Sequence, residues 1–181
     1  FHLTALEKET LSQLAHTTLK NLLFNRKAET IDPASISDTI KEKMGAFVSI
    51  YCKDKLRGCI GRFESNLPLY KIIQNMTLAA ATSDSRFEPI SKDEYNDVSI
   101  EISVLSSLEI VHDIREIKLG KHGIYMNFNG KTGTFLPQVA IKNKWTLEEF
   151  LENCATNKAE IGKDEWKSAD LYKFEAFVFK G

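Results

Sequence analysis

Residues 46–63 read AFVSIYCKDKLRGCIGRF, and the alternation of apolar and polar side chains on both sides of KDK predicts a β-hairpin. If KDK forms a three-residue turn, Ser49 lies opposite Cys59 and Cys52 lies opposite Leu56. A two-residue turn would change these partners. The hairpin is central to the fold prediction because it is an antiparallel strand pair, and it therefore indicates a largely antiparallel sheet.

Side chains along each predicted strand alternate between two faces. The first face is aliphatic and consists of Val48, Ile50, Leu56 and Ile60. The second face consists of Ser49, Tyr51, Arg57 and Cys59. We therefore expect Cys59 to lie on the face opposite the apolar core.

Cys59 is the first candidate for a functional residue. Arg57 stands about 6.5 Å away along the strand at ~3.3 Å per residue, and an arginine that close favours the thiolate. Gly58 and Gly61 leave room for backbone or a ligand to approach, and Glu101 of a later strand could hold Arg57 in place. The alternative is structural, because a lone cysteine usually packs as a small hydrophobic residue.

The rest of the chain mixes helical and extended patterns. Apolar residues at helical spacing predict helices within residues 7–26, 31–45 and 66–84, and from residue 146 onward. Alternating patterns predict strands within 97–105 and 171–179 and a second hairpin within 124–137. Ser91 and Glu94 fit a capping box. The order favours an α+β fold with a largely antiparallel sheet and flanking helices.

Composition restricts the classes of function. The 181 residues carry 24 basic and 25 acidic side chains, so no basic excess supports nucleic-acid binding. No apolar run reaches the roughly 20 residues of a membrane span, and the first residues lack the pattern of a secretory signal. The scattered cysteines Cys52, Cys59 and Cys154 fit a reducing cytoplasm, and Cys154 continues an apolar helical stripe. No motif predicts a metal site.

Three further side chains are candidates. His122 stands between glycines before a strand, where a histidine could act as acid, base or ligand; the alternative is an imidazole that is solvated or hydrogen-bonded within its own turn. Gln138 follows a proline that ends a strand, where binding groups often project, or it serves as a capping or turn amide. Arg86 could clamp an anion, or it pairs with Asp84 or Glu88 on the surface.

The motif LRGCIG at 56–61 resembles the signature of the AMMECR domain family. Further similar segments stand in the family's order at 86–105, 120–130, 134–140 and 150–159. The resemblance covers roughly residues 45–179. The chain departs from the family's usual pattern at Ser85, where a proline is common, and at KAEIG after the last segment.

The resemblance implies a single domain over residues 1–181, formed by two unequal lobes that share one core, with a cleft between them. It places the signature strand toward that cleft. It also implies an association with a MEMO-like dioxygenase-type protein and a radical SAM enzyme in the AmmeMemoRadiSam system. It implies neither a reaction nor a cofactor.

Two functions remain open at this stage. The first is a small-molecule or partner-binding component whose cleft is lined by the LRGCIG motif, with Arg57 recognising an anion. The second is a thiol-dependent enzyme in which Cys59 is the nucleophile or redox residue. In that enzyme Arg57 would tune the thiol, His122 would relay protons and Gln138 would hold substrate.

Overall fold

The computed structural model describes residues 2–63 and 66–181. The chain divides into two compact units of unequal size. The first runs to Leu105 and also includes Phe177–Gly181, and the second is Ser106–Ala176. Helices accompany antiparallel strand pairs in both units, so the α+β prediction is confirmed.

Among its described residues, the first unit contains three α-helices and three complete strands. They are α1 (Ala5–Leu23), α2 (Asp38–Lys41), β1 (Ala46–Cys52), β2 (Lys55–Arg62), α3 (Leu69–Thr82) and β3 (Val98–Leu105). Short 3-10 helices occupy Pro33–Ser35 and Lys92–Asp97. The predicted helix within 66–84 begins only at Leu69, because Pro68 precedes its first turn.

Strand β1 lies between β2 and β3 and pairs antiparallel with both. Helix α3 packs against β1 and β2, and α1 packs against α3 and β3. The apolar core lies between these helices and one sheet face, where Val48, Ile50, Ile100 and Ile102 are fully buried. Burial of this aliphatic layer is the main favourable contribution to the stability of the unit.

The turn of the hairpin differs from the prediction in one respect. Lys53 and Asp54 both have positive φ, 49° and 61°, which is the backbone of a two-residue hairpin turn. Leu56 therefore lies opposite Tyr51, and the predicted Cys52–Leu56 pair is wrong. Arg57 is the extra residue of a β-bulge, which restores the predicted register from the Ile50–Gly58 pair onward.

The second unit has its own strands and helices. They are β4 (Glu109–Ile110), β5 (His122–Phe128), β6 (Lys131–Phe135), α4 (Gln138–Asn143), α5 (Leu147–Cys154) and β7 (Asp170–Lys180). Strand β5 pairs antiparallel with β6 and β7, and β4 pairs with β7. The last residues of β7, from Phe177, belong to the first unit.

Helix α5 fills the core of the second unit. Phe150, Leu151 and Cys154 are fully buried there, as the helical stripe predicted for Cys154. Burial raises the pKa of the Cys154 thiol to about 12, so this cysteine stays protonated at neutral pH. Across the described residues, no helix is both long and apolar enough to cross a bilayer.

Candidate ligand-binding site

A polar row crosses the sheet of the first unit on the face opposite the core. Ser49 of β1 lies opposite Cys59 of β2 on one side and Glu101 of β3 on the other. The Ser49 hydroxyl donates a hydrogen bond to Cys59 Sγ at 3.1 Å. Because Val48 and Ile50 are the buried neighbours of Ser49, the predicted position of Cys59 away from the aliphatic layer is confirmed.

Tyr51 extends this row toward the turn. Burial raises the pKa of its phenol, and the negative charge of Glu101 raises it further. The phenol is therefore a hydrogen-bond donor at neutral pH. Lys180 holds its ammonium 5.4 Å from the centre of the Tyr51 ring, a cation–π distance.

Arg57 is held by Glu94, and the predicted pairing with Glu101 is not observed. Arg57 Nε lies 2.5 Å from Glu94 Oε1, and its NH2 group donates to Glu94 Oε2 and to the Glu88 carbonyl, both at 3.2 Å. The physical reason is the bulge, which takes Arg57 out of the regular strand pairing. The Arg57 hydrogen bonds lower the pKa of Glu94 to about 2, and the Ser91 amide contributes in the same direction.

Asp84 joins the motif strand to a second arginine. Its Oδ2 accepts a hydrogen bond from the backbone N–H of Cys59 at 2.9 Å. Arg86 donates from Nε to Oδ1 at 3.0 Å and from NH2 to Oδ2 at 2.8 Å. These hydrogen bonds hold the pKa of the Asp84 carboxyl well below its ordinary value, and those from Arg86 contribute most. Arg86 thus pairs with Asp84, the first of its two expected partners.

The two members of this pair differ in exposure. The Asp84 side chain is 5% exposed, whereas the Arg86 side chain is 58% exposed. Arg86 also lies with its Cζ 5.2 Å from the centre of the Phe87 ring. A buried carboxylate therefore fixes an exposed guanidinium beside the LRGCIG strand. The remaining N–H groups of this guanidinium can donate hydrogen bonds to an anion.

The glycines of the motif allow close packing within the protein. A Cβ on Gly58 would stand 1.9 Å from the carbonyl oxygen of Ala80 in α3. A Cβ on Gly61 would stand 2.3 Å from the ring of Phe47. At Gly58 the close neighbour is helix backbone, one of the two predicted alternatives, and at Gly61 it is an aromatic ring. The ligand-binding roles of both glycines stay predictions.

His122 and Gln138 belong to the second unit. His122 is buried, and its Nδ1 accepts a hydrogen bond from the Lys118 amide at 3.0 Å, which is the turn-bound alternative. Burial lowers the pKa of this imidazole, and the nearby charge of Lys173 lowers it further. Gln138 is exposed as the first residue of α4, whereas the sequence placed it at a strand end. Their roles as site residues stay predictions.

Two carboxylates of this site, Asp84 and Glu94, were not predicted as parts of it. The pairing of Asp84 with Arg86 could be predicted because the two residues are close in the sequence. The hydrogen bond from the Cys59 N–H to Asp84 could not, because the two residues are 25 apart. No group of three His, Cys, Asp or Glu side chains within residues 2–63 and 66–181 could hold a metal ion.

The fold and this site define an α+β protein in which the LRGCIG strand carries one anchored arginine, Arg57, and lies beside a second, Arg86. Residues 12–179 match the family model described as AMMECR1. The chain belongs to the AMMECR1 family, so the predicted family is confirmed.

Relatives of similar length occur in archaea. A protein of Methanocaldococcus jannaschii is 31% identical, with 98% of this chain and 92% of the relative covered. A protein of Methanopyrus kandleri is 36% identical, with 98% and 90% covered. The crystal structure of an uncharacterized protein from Pyrococcus horikoshii matches 95% of this chain and 90% of its own, with 31% identity and a TM-score of 0.80.

Proposed function

We propose that this protein is a binding component that holds an anionic ligand at Arg86, beside the LRGCIG strand. The observation that carries the proposal is the bridge formed by Asp84 between the Cys59 amide and the Arg86 guanidinium. The bridge limits the motion of an exposed cation before any ligand arrives. Such preorganisation lowers the entropy cost of binding.

The surroundings of Cys59 favour binding over nucleophilic catalysis. Its Sγ accepts a hydrogen bond from Ser49, and a neutral hydroxyl does not remove a proton from a thiol at neutral pH. Arg57, the cation expected to favour the thiolate, is engaged by Glu94. The Glu94 carboxylate offsets the positive charge of Arg57 that was expected to stabilise a thiolate. The thiol-dependent enzyme therefore receives less support than the binding component.

A thermal-shift screen with small carboxylates and phosphates tests the proposal. Each compound that stabilises the protein is measured again on Arg86→Ala, which we expect to lose at least tenfold in affinity, about the value of a charge-assisted contact. Arg115→Ala is the matched control, because Arg115 also pairs with an aspartate two residues before it and is 87% exposed. Equal losses in both variants would contradict the proposal.

Cys59→Ser separates the binding component from the thiol-dependent enzyme. The substitution keeps the backbone N–H that Asp84 accepts, so Arg86 remains anchored and the ligand still binds. A thiol-dependent enzyme would instead lose its reaction with any compound that it converts. Conversion of a screened compound by the wild type and not by Cys59→Ser would establish the enzyme.

We further propose that the protein acts together with a MEMO-like protein and a radical SAM enzyme. The support is the family resemblance, which carries this association without a mechanism. Size-exclusion chromatography of the purified proteins, alone and mixed, tests it. A shared elution peak that weakens with Arg86→Ala and not with Arg115→Ala would link the complex to the same site, and separate elution would oppose it.

A further inference from the structure

A pocket lies within the first unit, away from the polar row. It is enclosed by the C-terminal half of α1, the segment 26–31 that follows it, and α3. Its volume is about 460 Å³, which is within the ~300–1,000 Å³ of typical small-molecule sites. Gln74 of α3 donates to the Glu29 carbonyl at 3.1 Å and thereby fastens the segment that forms one wall.

The interior wall of this pocket is mainly apolar. Leu22 and Ile31 are half-buried, the Tyr70 ring is buried and Leu78 is 37% exposed. These side chains come from all three enclosing segments. They offer an apolar ligand a surface that water covers in the free protein, and contact with it is favourable.

The rim of the pocket carries two cations, Arg26 and Lys71. In the described part of the chain neither lies within ion-pair distance of a carboxylate, in contrast to Arg57 and Arg86. Arg26 lies 5.9 Å from the ring centre of Phe24, and Lys71 lies 5.8 Å from that of Tyr70. Two cations and the single acid Glu29 give the lining a net positive charge.

Thr18 adds an unpaired polar group to the wall. Its residue is 8% exposed, and its Oγ1 has no hydrogen-bond partner among the described residues. Other helical threonines, such as Thr10 and Thr77, donate to the carbonyl four residues earlier. A buried hydroxyl without a protein partner is ordinarily satisfied by water.

We propose that this pocket binds an amphipathic organic anion, an apolar chain or ring that carries one carboxylate. The apolar part lies against Leu22, Ile31 and Tyr70. The carboxylate lies at the rim between Arg26 and Lys71, whose charges are otherwise unpaired. This site is separate from the polar row, so the proposal does not depend on the function proposed for Arg86.

Octanoate and octanol are suitable probes because they share the chain and differ in the head group. We follow amide NMR shifts of the complete protein during titration with each probe. We expect octanoate to cause saturable shifts in α1 and α3 and to bind about tenfold more tightly than octanol, since only the carboxylate pairs with the cations. Absent octanoate binding, shifts confined to other elements, or equal affinities would overturn the proposal.

A double variant tests the cations directly. Arg26→Gln with Lys71→Gln should weaken octanoate about tenfold and leave octanol unchanged, because the apolar wall is intact. The control, Lys8→Gln with Lys55→Gln, makes the same change in net charge in the same unit at residues that do not line the pocket. Equal weakening of octanoate in both double variants would assign its binding to net charge alone and overturn the proposal.

Discussion

Asp84 and Cys59 are joined by a hydrogen bond of 2.9 Å from the backbone N–H of the motif strand to a buried carboxylate oxygen. Strand β2 pairs with β1 and stands at the end of the strand order, so this N–H points away from the sheet. An unpaired edge donor is a liability in a sheet. Asp84 satisfies it and uses its other hydrogen bonds to fix Arg86.

The first prediction concerns the stability provided by Asp84. Asp84→Ala leaves the Cys59 amide and the Arg86 guanidinium without their acceptor, so we expect the midpoint of thermal unfolding to fall by about 4 °C. Asp113→Ala is the control, because Asp113 binds Arg115 with the same spacing but is far more exposed. A midpoint that falls equally in both variants would show that the bond to Cys59 contributes nothing.

The second prediction is a dependence of stability on pH through Glu94. Its pKa is about 2 in the folded protein, below the ordinary 4.5, mainly because of Arg57. The stabilisation is therefore complete above pH 4.5 and is lost as the pH falls toward 2. Allowing for partial exposure, we expect Glu94→Gln to lower the free energy of unfolding by about 2 kcal/mol at pH 7.

Urea unfolding of both proteins between pH 7 and pH 2 measures this effect. Glutamine can keep the capping interaction with Ser91, so the difference reports the charge on Glu94. The gap between wild type and variant should narrow below pH 4.5. A gap that stays constant down to pH 2 would mean that Arg57 does not stabilise the carboxylate.

The third prediction concerns close packing at Gly58. Gly58→Ala places a Cβ 1.9 Å from the Ala80 carbonyl oxygen, so α3 must move away from β2. We expect a loss of about 2 kcal/mol in the free energy of unfolding, as in other overpacked cores. Gly162→Ala is the control, since the nearest atoms belong to the flexible Glu165 side chain at 3.2 Å. Chemical denaturation that leaves Gly58→Ala as stable as the control would contradict the packing.

The fourth prediction concerns thiol reactivity. Burial raises the pKa of Cys154 to about 12, so this thiol should resist alkylation in the folded protein at pH 8, whereas the half-buried Cys59 should be modified. Iodoacetamide labelling followed by peptide mass spectrometry measures both sites, and labelling in urea shows that both peptides are detectable. Modification of Cys154 ahead of Cys59 would be inconsistent with the burial described.

The sequence predicted the hairpin and the face of Cys59 because both depend on local alternation. Strand residues of period two show which side meets the core. The Ser49–Cys59 pair was predicted from a three-residue turn, and it is observed because the bulge at Arg57 compensates for a turn that is one residue shorter. The bulge at Arg57 was missed, because a polar residue fits the outward face with or without an extra residue in the strand. The two-residue turn was not predicted either. Such a turn requires two successive residues with positive φ, which Lys53 and Asp54 adopt although lysine and aspartate rarely do so.

The partners of the arginines were only partly predictable. The capping box of Ser91 and Glu94 was found because both residues lie in one turn. The bond from Glu94 to Arg57 spans 37 residues, and a single sequence carries no signal for such a pairing. The pairing of Arg86 with Asp84 was one of two open choices, and only the fold shows why Asp84 is favoured: its carboxylate also receives the Cys59 amide.

The most direct test of the central claim is NMR of the arginine Nε–Hε groups and the Cys59 amide during titration with inorganic phosphate. If Arg86 is the prepared anion site, its Nε–Hε signal and the Cys59 amide signal should shift together and saturate. The Nε–Hε signal of Arg115, held by an aspartate in the same spacing, should change weakly and linearly. Equal responses of Arg86 and Arg115, or an unmoved Cys59 amide, would contradict the account.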